Sequence, residues 1–185
     1  MTLFGVAWTW GTTPEERALA FPGALATAPH GQRLWRGVTV EAPPAVVFRW
    51  LCQLRAAPYS YDWIDNLGRR SPQSLTPGLE RLERGQVFMS IFRLVDFEEG
   101  AYVALETPPG GRGARLFGVV RCTYWARAAG PGRTRLLVEL RVEPAPGLWG
   151  RAMRSLLPWG DLVMMRKQLL NLKRLAEATA ARWPG

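Results

Sequence analysis

The sequence predicts an α+β fold, and three observations carry that expectation. Residues 161–183 repeat apolar side chains at the spacing of a long helix, and residues 86–142 alternate with the period of strands joined by tight turns. The two kinds of pattern occupy separate parts of the chain instead of alternating, which favours an antiparallel sheet packed on one face against helices.

The long helix is read from Leu162, Met165, Leu169, Leu172, Ala176, Ala180 and Trp183, which recur at alternating spacings of three and four and so share one stripe. Arg166, Lys167, Lys173, Arg174 and Glu177 fall on the opposite arc. Asp161 follows the breakers Pro158 and Gly160 and is placed as the N-cap, and Pro184-Gly185 stops the helix. At about 1.5 Å per residue the segment spans roughly 33 Å. Met164 and Leu175 widen the stripe, which suits a helix lying in a trough. The preceding stretch from Leu148 to Leu157 is basic and amphipathic. It is either a short lead-in helix whose Leu and Met side chains pack on the domain or an interfacial contact with an anionic membrane.

The rest follows in chain order. Thr13-Pro14-Glu15-Glu16 has the form of a capping box opening a short helix that Pro22-Gly23 ends. Leu34 to Glu41 reads as a strand with Leu34, Val38 and Val40 on one face and Arg36 interrupting the alternation. Pro43-Pro44 turns into a helix from Ala45 to Leu54 that is apolar over most of its circumference and is expected to be buried on more than one side. Tyr59 to Asn66 mixes aromatic and polar groups, its second half forming a short helix. Strands are expected from Gln86 to Phe92, Arg93 to Phe97, Tyr102 to Glu106, Ala114 to Arg127 and Thr134 to Val142. Gly110-Gly111-Arg112-Gly113 is read as a hairpin turn. In the last strand Thr134, Leu136, Val138, Leu140 and Val142 face the core, while Arg133, Arg135, Glu139, Arg141 and Glu143 face water.

A chain of 185 residues that is 48% hydrophobic and 21% charged belongs to an ordered globular class, and no repeat or linker divides it. One domain over residues 1–185 is expected, with residues 1–32 an N-terminal extension packing on it. The net charge of +9 comes from 24 basic residues, of which only Lys167 and Lys173 are lysines. That arginine bias is what codon usage in a GC-rich genome produces, so a bacterial source is expected, and because the arginines are spread out a solvated basic surface and no nucleic-acid partner are expected. No basic segment precedes an apolar run at the N-terminus, so no leader is read and a cytoplasmic location is expected. Cys52 and Cys122, both in apolar settings, read as buried reduced thiols.

Trp10-Gly11-Thr12, the Ala42-Pro43-Pro44 entry into Val47-Phe48-Arg49-Trp50-Leu51, Tyr59-Ser60-Tyr61-Asp62-Trp63 and Met164-Met165-Arg166-Lys167-Gln168-Leu169-Leu170 together resemble the START-like superfamily, also called SRPBCC or polyketide cyclase/dehydratase-type. Ala24 and Gln86 stand where an acidic residue of that pattern is expected. The resemblance implies a helix-grip fold, in which a curved antiparallel sheet wraps around the C-terminal helix, with short helices between the first and second strands. It also implies a cavity for an apolar ligand such as a lipid or polyketide-like molecule. Candidate ligand-binding residues are Trp50, Tyr59, Tyr61, Asp62, Trp63, Asn66, Met89, Val120, Tyr124, Met165 and Leu169.

Directed chemistry is sparse. His30, the only histidine, sits in a Pro/Gly-bounded loop without a neighbouring partner for a triad, and it reads as a surface residue. The two cysteines lack zinc-ligand spacing, and no phosphate-binding glycine motif is present, so neither metal nor cofactor is expected. Asp62 and Asp65 either orient a ligand's polar end or simply cap the short helix and pair with Arg69 or Arg70. Binding of a hydrophobic ligand is the leading reading. An aromatase/cyclase-like or hydrolytic activity using Asp62, Tyr61 or Arg70 is one alternative, and a membrane-surface or protein-interaction module using Arg115, Arg121, Arg133, Arg135 and Arg141 is another.

Overall fold

The computed structural model describes residues 3–23, 31–66, 68–143 and 147–182. The expectations placed on Ala24, His30, Trp183 and Pro184-Gly185, and on the side chain of Asp65, lie outside what is described. Six strands form one antiparallel, curved sheet: β1 (Gln32–Val40), β2 (Val87–Phe88), β3 (Phe92–Glu98), β4 (Tyr102–Glu106), β5 (Val119–Ala128) and β6 (Thr134–Glu143), in the order β1-β6-β5-β4-β3-β2. The helices are α1 (Leu3–Thr9), α2 (Pro14–Ala18), α3 (Pro44–Cys52), α4 (Asp62–Asp65), α5 (Arg112–Phe117) and α6 (Gly147–Ala180). The concave face packs on α3 and α6, so the chain has the α+β helix-grip architecture.

The cleanest sequence pattern gives the cleanest strand. Thr134, Leu136, Val138, Leu140 and Val142 of β6 are all buried, in full register with β5 and β1 on either side. Pro43 and Pro44 open α3 as read, and Val47, Phe48, Trp50, Leu51 and Cys52 bury most of its surface. The capping box is also present, with Glu16 N–H donating to Thr13 Oγ1 and Thr13 N–H donating to Glu16 Oε2. Helix α1, ahead of it, was not legible as a helix.

Four expectations are corrected. First, Pro158 and Asp161 do not start the last helix: α6 runs 34 residues from Gly147, about 51 Å, with Pro158 inside it. A proline within a helix removes the donor for the carbonyl four residues earlier. Here Gln32 Nε2 donates to the Arg154 carbonyl at 3.1 Å, a tertiary substitute for the missing bond. Asp161 is therefore an interior helix residue, and it faces Arg36.

Second, Gly110 to Gly113 is not a hairpin turn and no strand begins at Ala114. Gly111 caps α5, Gly118 closes it at φ 83°, and β5 starts only at Val119. Gly113 is buried where a Cβ would meet Thr107 Cγ2 at 3.1 Å and Ile91 Cβ at 3.3 Å, so α5 lies tight on the sheet. Leu116 belongs to this helix and is exposed.

Third, the strand expected from Gln86 to Phe92 stops after Phe88, because Met89 and Ser90 take left-handed φ values of 46° and 63°. Two such residues in succession cannot continue a pleated strand. Met89 N–H is instead satisfied by the Leu54 carbonyl at 2.9 Å.

Fourth, the convex face is not simply wet. Leu137 and Glu139 of β6 are fully buried there. The Gly37 N–H donates to the Trp10 carbonyl, Glu16 pairs with Arg135, and Phe21 stacks edge-on against Trp125 with ring centroids 5.5 Å apart. A Cβ at Gly11, which has φ 73°, would overlap the Gly37 carbonyl, so only glycine permits this approach. Glu139 sits between Arg33 and Arg141, and Arg121 between Glu106 and Glu143, so the arginines of this face are largely neutralised in place.

Candidate functional site

A cavity of about 570 Å³ lies between the inner face of β5 and β6, helix α5 and the middle of α6. Inward side chains of alternating strand positions supply one wall, namely Val120, Cys122 and Tyr124 from β5 with Leu140 and Val142 from β6. Helix α6 supplies the other through Met153, Leu156, Leu157, Gly160, Asp161, Met164, Met165 and Gln168. These recur at spacings of one, three and four, so a single helical face sees the cavity. The left-handed bend at Met89-Ser90 turns the chain so that Met89, Ile91 and Phe92 close one end. Phe117 at the end of α5 and Ile64 on α4 reach the lining and are also exposed, which marks the mouth.

The polar groups in this apolar wall are few and mostly committed. Gln168 is a buried hub: Tyr124 Oη donates to its Oε1 at 2.7 Å, and its Nε2 donates to the Pro58 carbonyl at 2.6 Å, with Met89 Sδ at 3.2 Å. Asn171 Nδ2, one turn on, holds the neighbouring Tyr59 carbonyl at 2.8 Å. Together the two helical amides fix Tyr59 at its left-handed φ of 56°. Burial pushes the Tyr124 hydroxyl well above its usual range, so it stays a neutral donor.

Asp161 is the cavity's carboxylate. Arg36 of β1 occupies a core-facing position in step with Leu34, Val38 and Val40, is fully buried, and donates from Nη2 to Asp161 Oδ2 at 2.6 Å. The same Nη2 reaches the Pro158 carbonyl at 3.3 Å and Nη1 reaches the Trp35 carbonyl at 2.9 Å. Burial raises the Asp161 carboxyl above the ordinary range against the opposing pull of Arg36, and burial likewise lowers the Arg36 guanidinium. Each charge is thus costly alone and tolerable only beside the other. A carboxylate in a cavity wall can accept a hydrogen bond from a ligand hydroxyl.

Of the candidate ligand-binding residues, Met89, Val120, Tyr124 and Met165 line this cavity. Leu169 lies one turn beyond Met165 in the packed core. Trp50 and Tyr59 are core residues stacked edge-to-face at 5.9 Å, and Trp50 Nε1 donates to Thr179 Oγ1. Tyr61, Asp62, Trp63 and Asn66 stand on or beside α4, outside the lining. Asp62 accepts from the Ser71 N–H at 2.9 Å and the Ser71 hydroxyl at 2.5 Å, so it ties a loop down, while Trp63 is exposed. Ser60, Asp161 and Gln168 were not singled out from the sequence as lining residues. A buried Gln on an otherwise apolar helical stripe, and an Arg at an inward strand position, were the available signals.

Both thiols are buried and free. Burial pushes Cys52 up to about 12 and raises Cys122, which lines the cavity, so neither is a ready nucleophile.

No family model and no curated protein sequence matches the chain. Among solved structures it is similar to hypothetical protein jhp0584 from Helicobacter pylori, at 13% identity and TM-score 0.52, covering 86% of this chain and 96% of that one. It is also similar to TTHA0849 from Thermus thermophilus, at 18% identity and TM-score 0.51, covering 80% and 99%. The Zhui aromatase/cyclase from a Streptomyces species aligns at 17% identity and TM-score 0.46, covering 83% and 95%. At these identities the likeness carries the fold alone, and that fold is the α+β helix-grip architecture described above.

Proposed function

We propose that the chain binds a small, largely hydrophobic molecule in the cavity between the sheet and α6. The observation that carries this reading is a cavity of about 570 Å³, within the size range of small-molecule sites, whose wall is apolar apart from a few fixed polar groups. Four methionines, Met89, Met153, Met164 and Met165, give that wall side chains that adapt to irregular shapes. Asp161 supplies a carboxylate acceptor in that largely apolar wall, which favours an apolar ligand carrying a hydroxyl over a pure hydrocarbon. Ligand capture supports transport or sensing roles equally.

The test is uptake of an environment-sensitive apolar fluorophore, with native mass spectrometry of the purified protein. Saturable uptake is expected, together with a rise in Tm as ligand concentration exceeds Kd. Met165→Trp, which places a large ring in the cavity wall, is expected to abolish uptake while the protein still folds. Unchanged uptake in that variant, or no saturable uptake by the wild type, overturns the reading.

A further inference from the structure

The cavity mouth continues onto a surface that the fold does not cover. Ile64, Phe117 and Leu156 line the cavity and are at the same time exposed, Leu156 by 60%. Leu116 beside Phe117, and Leu148 and Trp149 in the first turn of α6, are exposed as well, Leu148 by 76%. Trp149 Nε1 donates to the Leu116 carbonyl at 3.1 Å, which ties the start of α6 to α5 and joins the two sets. Single exposed apolar residues are ordinary, but a joined group of large ones around an opening marks an interaction site.

On α5 and the first half of α6 the charge is one-sided, whereas α4, which carries Ile64, also carries Asp62 and Asp65. Helix α5 carries Arg112 and Arg115, and α6 before Asp161 carries Arg151 and Arg154, and neither segment has a carboxylate. Elsewhere the charges differ: on the convex face Arg33, Arg121, Arg135 and Arg141 each face a glutamate. Arginine with exposed Trp and Leu, free of acidic residues, is the composition of a surface that sits in a phospholipid headgroup layer.

We propose that α5 and the first half of α6 dock the cavity mouth onto an anionic lipid bilayer. The inference rests on the hydrophobic-ligand reading of the cavity: an apolar ligand moving directly between bilayer and cavity never has to cross water. The aromatic and aliphatic side chains enter the interface and the arginines neutralise acidic headgroups. No helix among the described residues is long and apolar enough to cross a membrane, so the contact is peripheral.

The experiment is flotation of the full chain with phosphatidylcholine vesicles, with and without phosphatidylglycerol. Binding to the anionic vesicles about 10- to 100-fold tighter than to neutral ones, weakened by salt, is the expected result. Trp149→Glu and Leu148→Glu, both outside the cavity lining, are expected to lose vesicle binding while retaining uptake of the apolar fluorophore from solution. Changing the four arginines to glutamine is expected to remove the preference for anionic lipid. Absence of vesicle binding, or binding indifferent to Trp149→Glu and Leu148→Glu, overturns the proposal. So does a self-associated species in sedimentation velocity that Trp149→Glu dissolves without any vesicle binding, since a second copy then owns the face. Vesicle binding without fluorophore uptake overturns the cavity reading and leaves the docking surface standing.

Discussion

Removing Asp161 alone is expected to be among the most damaging single changes in the chain, and removing it together with Arg36 nearly harmless. The guanidinium of Arg36 is fully buried, and Asp161 Oδ2 at 2.6 Å is its only charged partner within ion-pair distance among the described residues. Asp161→Leu leaves that cation in an apolar environment with only the Trp35 and Pro158 carbonyls for company. Breaking one member of a buried pair costs about 3–5 kcal/mol, whereas replacing both members by apolar groups of similar volume is close to neutral or stabilising. For a domain of this size that single-variant cost lowers Tm by roughly 6–20 °C. The assay is urea unfolding of the wild type, Asp161→Leu, Arg36→Met and the double variant, closed as a double-mutant cycle. Both singles are expected to be strongly destabilised and the double to lie within about 1 kcal/mol of the wild type. Additive losses, or a loss under about 1 kcal/mol for Asp161→Leu, would show that the pair is not electrostatically buried and refute the reasoning.

Gln168→Leu removes the acceptor of the Tyr124 hydroxyl and the donor to the Pro58 carbonyl. A loss of about 1–3 kcal/mol per stranded buried group is expected in urea melts, with partial recovery in Gln168→Leu/Tyr124→Phe. Leu169→Trp overfills packed core beside the cavity and is expected to cost about 1–3 kcal/mol, in contrast to Met165→Trp, which has open volume to enter. Hydrogen bonding from Arg135 holds the Glu16 carboxyl below its usual range. A carboxyl with a depressed folded value contributes stability above its unfolded value and loses it as pH falls through the folded one. Glu16→Gln is therefore expected to flatten the fall in stability between about pH 5 and pH 3, with little change in that slope above it.

Much of the frame was legible because it rests on short-range periodicity. β6 alternates cleanly since both of its neighbours are strands and one of its faces is core, and α3 shows its burial in the density of apolar residues. The segments that failed did so where a tertiary partner replaces a local rule. Pro158 reads as a break because it takes away the helical donor of the Arg154 carbonyl, and a donor from Gln32, 122 residues away, stands in for it. Arg36 reads as a flaw in β1 because a charge facing the core is forbidden until Asp161 stands opposite it.

The candidate site divides the same way. Val120, Tyr124, Met89 and Met165 stood out as apolar groups on faces expected to turn inward, and they do line the cavity. The polar segment from Tyr61 to Asn66 drew attention by composition, yet composition does not say which way a side chain turns. The structure ties Asp62 to Ser71 and leaves Trp63 outward. Gln168 and Asp161 were hidden because their meaning depends on what lies across the cavity. By itself the sequence determined the α+β class, the inward face of β6 and the apolar stripe of α6, all set by repeats of two or of 3.6 residues. Only the tertiary structure decided where α6 begins, which charges are buried in pairs and which side chains enclose the cavity, because those depend on groups far apart in the chain satisfying one another.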